Sequence, residues 1–525
     1  MIEFGIDSII VFVYNEEKFR RKFRVKKIVC FLIMMIFAFQ ATIMFTGCKK
    51  KNDEIVIYVD GGGANGNFNT TASMEKTEEN PYPYNTLEVL AGEYMATHPN
   101  VKIIINKSSL NSDRETIVSL LTAEEAPHLL YQISPDLVSD ARNGWIVDVT
   151  DYLSQPNPYC AAGTPGSEKW ADMYNTKELL ATRAPNGRYY AIDLEKIPIG
   201  ILYNKDMFKA AGLVDENGEI VVPDSFGDLL ATQKTIYEKL NKTPYFPIYT
   251  WYDIVLEVSL FADMFPTYDV IEQDGFISVE EIVKAYNEGT WGISSTPKTE
   301  AEKRYREYFK LMKQKTQYYP SAWSSYDALE EFLKGNVAMI EATGGYMAQA
   351  ANDSKKGFDV GVFGFPTVTE ADSVYGGKGV YRGTAGLCTG YSITNTAIKD
   401  GQETVEACVD FLRFLTAPQN NNRLINDLGL GLPISSEAEI NELFQPLVDI
   451  YKKDCNDPNR YDWNTYCSWS HFNKVYYDSF LNTVQAYQLG KYDIDEALDM
   501  MSASTATVIE KTMKDNGWTK DRWKK

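Results

Sequence analysis

The sequence predicts an α/β protein with at least two lobes, and three observations carry that expectation. Strand and helix signals alternate from residue 55 onward. A cleavable leader over residues 1–47 of the 525 leaves 478 residues, more than one hydrophobic core usually supports. No internal repeat or low-complexity linker interrupts the pattern.

The leader is read from residues 20–47. Arg20, Arg21, Lys22, Arg24, Lys26 and Lys27 precede the apolar run Ile28 to Phe39, which Gln40 ends after about a dozen residues. This is a secretory signal pattern, well short of the roughly 20 apolar residues of a membrane-spanning helix. Thr46 and Gly47 then lead into Cys48, followed by Lys49, Lys50, Lys51 and Asn52. The segment resembles a bacterial lipobox, with Phe45 where that pattern most often has Leu. The resemblance implies cleavage before Cys48, diacylation of its thiol, a tether over 48–53, and attachment to the outer face of the cell membrane by lipid alone. Residues 1–17, with Glu16 and Glu17, lie outside the signal pattern, and a start codon further downstream would explain them.

Charge narrows the partners. The chain carries a formal charge of −20, and losing residues 1–47, with seven basic and four acidic side chains, leaves 45 Lys+Arg against 68 Asp+Glu, near −23. Nucleic acid is therefore not an expected partner. Aromatic residues make up 13% of the chain, enough to furnish both a core and rings for a ligand. Beyond Cys30 and Cys48, the cysteines Cys160, Cys388, Cys408, Cys455 and Cys467 are odd in number and lack tight metal spacing. Cys455 and Cys467 could pair, whereas Cys408 sits at an apolar helical position as a buried thiol. His98, His128 and His471 are the only histidines, too few for a His-rich metal centre, and no cofactor is expected.

The elements follow in order. Ile55 to Val59 reads as a buried strand. Asn85-Thr-Leu-Glu88 caps a helix with the stripe Leu87, Leu90, Ala91 and Tyr94, and Val101 to Ile105 is the next strand. Ser112-Asp-Arg-Glu115 is a capping box opening a helix through Ile117, Leu120 and Leu121, before a third strand at His128 to Ile133. This βαβα order predicts parallel strands. Further on, Ser225-Phe-Gly-Asp228 after Pro223 opens a helix, and Glu403 to Leu415 places Val405, Cys408, Val409, Leu412 and Leu415 on one face. Residues 61–83 and 156–166 read as loops, the first unusually long.

Several segments resemble a known family. Gly187-Arg-Tyr-Tyr-Ala-Ile-Asp193, then Gly200-Ile-Leu-Tyr203-Asn204-Lys205-Asp206-Met-Phe208, resemble family 1 solute-binding proteins, the group containing maltose-binding protein. Pro223 to Leu229, Phe332 to Met339 with Gly344-Gly345-Tyr346, Phe358 to Gly361, and Phe365-Pro366 agree in order and spacing. So do Asn143-Gly144-Trp145 to Leu153, Ala407 to Leu415 and Gly429 to Pro433. The likeness covers nearly all of residues 54 to 440. It implies a two-lobe periplasmic-binding-protein-like fold of type II, with lobe 1 over 54–193 plus 378–430 and lobe 2 over 195–375 plus 433–525. It also implies a carbohydrate ligand in the cleft, an ABC importer permease as partner, no catalysis, and a monomer.

A sugar site needs aromatic platforms for C–H faces and polar groups for hydroxyls. An aromatic contact adds roughly 0.5–1.5 kcal/mol beyond area burial and a hydrogen bond to a charged group about 1.5–3 kcal/mol, so a few of each reach micromolar affinity. Tyr346 is the leading candidate, because it follows Gly344-Gly345 where the family carries a stacking Trp. The alternative is a core tyrosine. Trp251, in Tyr249-Thr-Trp-Tyr252, corresponds to an aromatic cleft segment or packs in the core. Asp60 ends the first strand, and Gly61-Gly62-Gly63 either lets amides approach a ligand or forms a plain turn. Asp136 resembles the family's acidic acceptor of sugar hydroxyls, or caps a helix after Pro135. Tyr381, Arg382, Trp323 and Trp469 are further candidates for ligand contact, with structural roles as the alternative.

Two motifs mimic other sites. Gly61-x-Gly63-x-x-Gly66 matches a dinucleotide fingerprint, but Asn67 to Pro83 stands where its helix should start. Glu272, Asp274, Gly275 and Glu281 fit a calcium loop, but Val270 occupies the first ligand position and Ser278-Val-Glu-Glu281 reads better as a capping box. The competing functions are a surface glycoside hydrolase, which needs paired carboxylates about 5–10 Å apart, and a dinucleotide oxidoreductase.

Overall fold

The computed structural model describes residues 54–62, 85–106, 110, 114–184, 186–247, 251–275, 277–321, 323–379, 387, 389–428, 431–434, 440–454 and 474–524. Their order begins β1 (Ile55–Asp60), α1 (Thr86–Thr97), β2 (Val101–Asn106), α2 (Arg114–Ala123), β3 (Leu129–Ile133) and α3 (Ser134–Arg142). After a loop-rich stretch come α4 (Thr176–Ala181), β4 (Glu195–Lys196), β5 (Ile199–Asn204), α5 (Phe226–Leu240), α6 (Trp251–Phe261), α7 (Val279–Asn287), α8 (Glu300–Lys315), β6 (Met339–Thr343), α9 (Gly344–Asn352) and β7 (Val360–Phe363). The chain then returns through β8 (Thr389–Ile393), α10 (Gln402–Thr416), α11 (Pro418–Leu428) and β9 (Leu432–Pro433), and ends with α12 (Ile494–Asp515).

Two main sheets result. One has the order β2-β1-β3-β8 and the other β6-β5-β7, while β4 and β9 form a separate two-stranded ladder. The expectation of parallel strands holds for β1 with β2 and for β1 with β3. It fails for β8 on β3, and for β5, which is antiparallel to both neighbours. The reason is where each strand starts. β1, β3 and β6 run toward the β4/β9 ladder, whereas β5 begins just after the chain leaves that ladder and runs away from it.

Each sheet buries its own core. The first packs Ile57, Val59, Leu90, Tyr94, Tyr131, Tyr391, Leu412 and the fully buried thiol Cys408. Trp170 is also fully buried there, and its indole N–H donates to Thr416 Oγ1 at 2.9 Å. The second core packs Phe208, Phe261, Tyr305 and Phe309 against Leu498, Met501 and Ile509 of α12. Each such aliphatic side chain contributes about 1.5–3 kcal/mol when removed from water, so α12 is integral to its lobe and not an appendage.

The caps were readable in part. Ser225 with Asp228, and Ser278 with Glu281, form complete capping boxes, the second of which accounts for the calcium-like pattern. Asn85 precedes α1 but makes no side-chain cap; its amide donates to Glu88 Oε2 at 3.3 Å instead. Ser112 lies outside the described residues.

Candidate functional site

The chain crosses between the two sheets at β4 and returns at β9, where Glu195 pairs with Pro433 and Lys196 with Leu432. Asn421, fully buried on α11, grips both crossings. Its Nδ2 donates to the Leu194 carbonyl at 2.7 Å and its Oδ1 accepts the Ile434 amide at 3.0 Å. Gly431 packs beside it, and a Cβ there would lie 2.5 Å from Glu195 Oε2 and displace that carboxylate. Lys196 is nearly buried, with Nζ 3.2 Å from Glu178 Oε2 and 5.3 Å above the ring of Tyr451.

Register places the ends of both sheets at this hinge. Thr343, the end of β6, pairs with Ile199, three residues beyond β4. Ile133, the end of β3, pairs with Thr389 at the start of β8. Ile192 bridges Tyr391, an approach that Gly390 permits, since a Cβ there would sit 2.6 Å from the Ile192 carbonyl oxygen. Helices α3 and α9 begin directly where β3 and β6 stop, so two helix N-termini, with partial positive charge, lie at these strand ends.

Asp60 ends β1 in the same region. It is fully buried; Oδ1 accepts the Leu110 amide at 3.4 Å, and among the described residues Oδ2 has no partner within hydrogen-bond distance and angle. Burial raises its pKa to about 6, although the amides of Leu110, Tyr131 and Gly62 offset part of that rise. The Tyr391 hydroxyl donates to the carbonyls of Asp60, at 2.5 Å, and Gly62, at 3.3 Å. Tyr131 meets the Tyr391 ring edge-on at 5.2 Å and donates its own hydroxyl to Glu195 Oε1 at 2.9 Å. Asp60 is thus linked to the crossing strand through two tyrosines.

Residues 90–450 match the family of bacterial extracellular solute-binding proteins. The chain belongs to that family. No curated protein matches it in sequence. Among solved structures, a family 1 extracellular solute-binding protein from Bifidobacterium longum subsp. infantis is 16% identical, covers 86% of this chain and 99% of its own, and superposes with a TM-score of 0.56. The apo form of RafE from Streptococcus pneumoniae is 16% identical, with 89% and 100% covered and a TM-score of 0.55. The cyclic α-maltosyl-1,6-maltose binding protein from Arthrobacter globiformis is 16% identical, with 87% and 99% covered and a TM-score of 0.57. These likenesses establish the two-lobe periplasmic-binding-protein fold.

The solute-binding protein distributes the residues singled out in its sequence unevenly. Asp60 and Gly62 lie together at the end of β1, but the Gly61 amide donates to the Asn106 carbonyl at 3.0 Å. Asp136 is in the first turn of α3, which starts at Ser134, so it does not occupy the cap position. Tyr346 is in the first turn of α9, half-buried against the second lobe's Phe332 cluster. Two residues later, Ala348 packs into the first lobe's core, which puts α9 at the boundary between the lobes. Trp251 is the first residue of α6.

Trp323 takes the structural alternative: it is 8% exposed in a core with Phe246 and Phe332, its ring edge-on to Tyr319 at 5.4 Å. Its neighbours in sequence are polar, and tertiary neighbours cover it. Tyr381, Arg382, Trp469, Cys48 and the pair Cys455 and Cys467 lie outside the described residues. Sequence reasoning missed Asn421, Tyr131, Tyr391 and Glu195. The one available signal was Glu195-Lys196 set among Ile192, Leu194 and Ile197, a charged pair in an apolar run. Among the described residues no cluster of three or more His, Cys, Asp or Glu could hold a metal, and no helix is long and apolar enough to cross a membrane.

Proposed function

We propose that this solute-binding protein captures a carbohydrate, in the size range of an oligosaccharide, between its lobes and delivers it to the permease of an ABC importer. The observation that carries the reading is the convergence of strand ends from both sheets on one hinge, with Asp60 on one side and Tyr346 on the other. Open α/β sheets bind ligands at such ends. A buried carboxylate with an oxygen unpaired among the described residues suits a sugar hydroxyl, and a half-buried tyrosine at a helix N-terminus suits a sugar face. Sugar-binding relatives of the same fold, such as RafE in complex with raffinose, point the same way.

The clamp divides into 54–193 plus 378–430 against 195–375 plus 433–525. Asp136, Trp251, Tyr381, Arg382 and Trp469 complete the set of candidate contacts. Trp and Tyr rings favour neutral oligosaccharides, while Arg382 admits acidic ones. Ligand touches both lobes only on closure, so binding energy shifts an open–closed equilibrium and the closed form docks on the permease. Cys48 carries the lipid that keeps the monomer at the outer face of the membrane.

The test is calorimetric titration against neutral and acidic oligosaccharides, with each sugar recovered afterwards and analysed by chromatography. Saturable binding of unchanged sugar is expected. Cleavage of the sugar would replace the proposal with the glycoside hydrolase reading, and no binding across the panel would sink both.

A further inference from the structure

Among the described residues, two ion pairs other than those of the β4/β9 ladder join the lobes. Arg142, the last residue of α3, places Nη1 3.2 Å from Oδ2 of Asp515, the last residue of α12. Arg183, in the turn after α4, places Nη2 2.7 Å from Oδ2 of Asp274, in the loop before α7. Partners are 373 and 91 residues apart in sequence, and in both cases the first lobe supplies the arginine and the second the aspartate.

The acceptors are held in place by their own lobe. Asp269 Oδ1 accepts the Asp274 amide at 3.2 Å and its Oδ2 the Gly275 amide at 2.8 Å. Glu281 Oε1 accepts the amides of Val270 and Ile271, each at 2.7 Å. Asp515 is steadied by Lys511 one turn earlier, Nζ to Oδ2 2.5 Å. On the donor side the Arg183 turn is closed by Ala184 N–H to the Arg188 carbonyl at 2.8 Å, and Arg188 Nε donates to Asp148 at 2.5 Å. The aspartates and the Arg183 turn are ordered before the pairs form, so the attraction is not consumed by fixing those segments, and the arginine side chains alone lose freedom.

We infer that these two pairs are a charge latch that biases the ligand-free molecule toward lobe closure. The inference rests on the reading that the lobes open and close. A contact present in the closed state and absent in the open one shifts the equilibrium by its whole interaction energy, whatever else is bound. The side chains are 18% and 23% exposed in the Arg183 pair and 46% and 27% in the Arg142 pair. Pairs of that kind shift an equilibrium roughly 1.5- to 5-fold each, about 2- to 25-fold together. Ligand binding would be tightened in proportion to the gain in closed population, by at most the same factor, because the closed, competent form starts from a larger share.

Small-angle scattering of the ligand-free protein tests this. The wild type is expected to be compact at about 20 mM salt and to expand at 1 M, where the screening length falls to about 3 Å. R142Q/R183Q is expected to be expanded at both, and the exchange R142D/D515R to recover compaction relative to R142D alone. A wild-type radius of gyration unmoved by salt would overturn the latch; so would an R142Q/R183Q radius equal to that of the wild type at low salt, or an exchange that restores nothing. The salt arm needs no substitution, so it stands even if a variant folds poorly. The measurement uses no sugar, so a protein that binds none could still show the latch, and one without the latch could still bind sugar.

Discussion

Asn421→Ala is the most informative single substitution at the hinge. Asn421 is fully buried and supplies one donor, to the Leu194 carbonyl, and one acceptor, to the Ile434 amide. Alanine leaves both backbone groups buried and unpaired, and each orphaned group costs about 1–3 kcal/mol. Allowing for some relaxation, the pair loses roughly 2–4 kcal/mol of local stability, which is about 30- to 1000-fold in an opening equilibrium at 1.4 kcal/mol per decade. A chain of two lobes need not unfold in one step, so a global midpoint is the wrong readout. Hydrogen exchange by mass spectrometry, on peptides spanning 192–197 and 431–434, reads the crossings directly. Exchange faster by at least thirtyfold in both peptides is expected, with peptides of the second core, such as 305–312, unchanged. Asn421→Asp retains the acceptor but sets a carboxylate oxygen against the Leu194 carbonyl, so it should lose at least as much protection. If Asn421→Ala changes exchange by less than twofold, the amide is not what ties the crossings together, and the hinge must be held by its strand ladder and Gly431 packing.

Further outcomes follow from individual groups. His128 is buried; its Nδ1 accepts the Tyr58 amide at 3.1 Å, so Nε2 carries the proton toward Asp400 at 3.0 Å, and burial lowers its pKa while Asp400 offsets part of the drop. A depressed folded pKa means its contribution is present above the unfolded value of about 6.5 and fades as pH falls through the folded value. The first lobe of the wild type should therefore lose stability relative to that of His128→Gln as pH falls from 7.5 to 5, read from the unfolding transition of that lobe in each protein; a difference that does not change with pH would refute the assignment. Asp60 behaves oppositely: with its pKa raised from 3.8 to about 6, burying it is harmless below 3.8 and costs stability as pH rises to 6 and beyond. Asp60→Asn should gain on the order of 1–3 kcal/mol at pH 7.5 and nothing at pH 3.5, while weakening sugar binding; a stability gain with undiminished affinity would remove Asp60 from the site. Tyr346→Ala should weaken sugar binding about tenfold by calorimetry and Tyr346→Trp should restore it, whereas equal affinity in all three would make Tyr346 a packing residue.

Legibility from sequence tracked the range of the interaction involved. Ser225 with Asp228, and Ser278 with Glu281, were readable because a capping box spans four residues. The buried face of α10, Val405 through Leu415, was readable because a helix repeats every 3.6 residues and one side of it must be dry. Asp60 was marked by its place at a strand end before glycines. By contrast Trp323, with polar neighbours in sequence, was hidden by Tyr319 and Phe246 only after folding. Asn421 read as one more polar residue in an Asn-rich helix start, because its two partners lie 227 and 13 residues away.

The sequence by itself determined the alternation of strands and helices, the faces those helices bury and the segments that resemble the family, all properties of local spacing. Only tertiary structure decided the direction of β5 and β8, the meeting of β4 with β9, the burial of Asp60 behind Tyr391, and the pairing of Arg142 with Asp515 and Arg183 with Asp274. Those are contacts between residues far apart in the chain, and their energies exist only once two separately built cores have been brought to a common hinge.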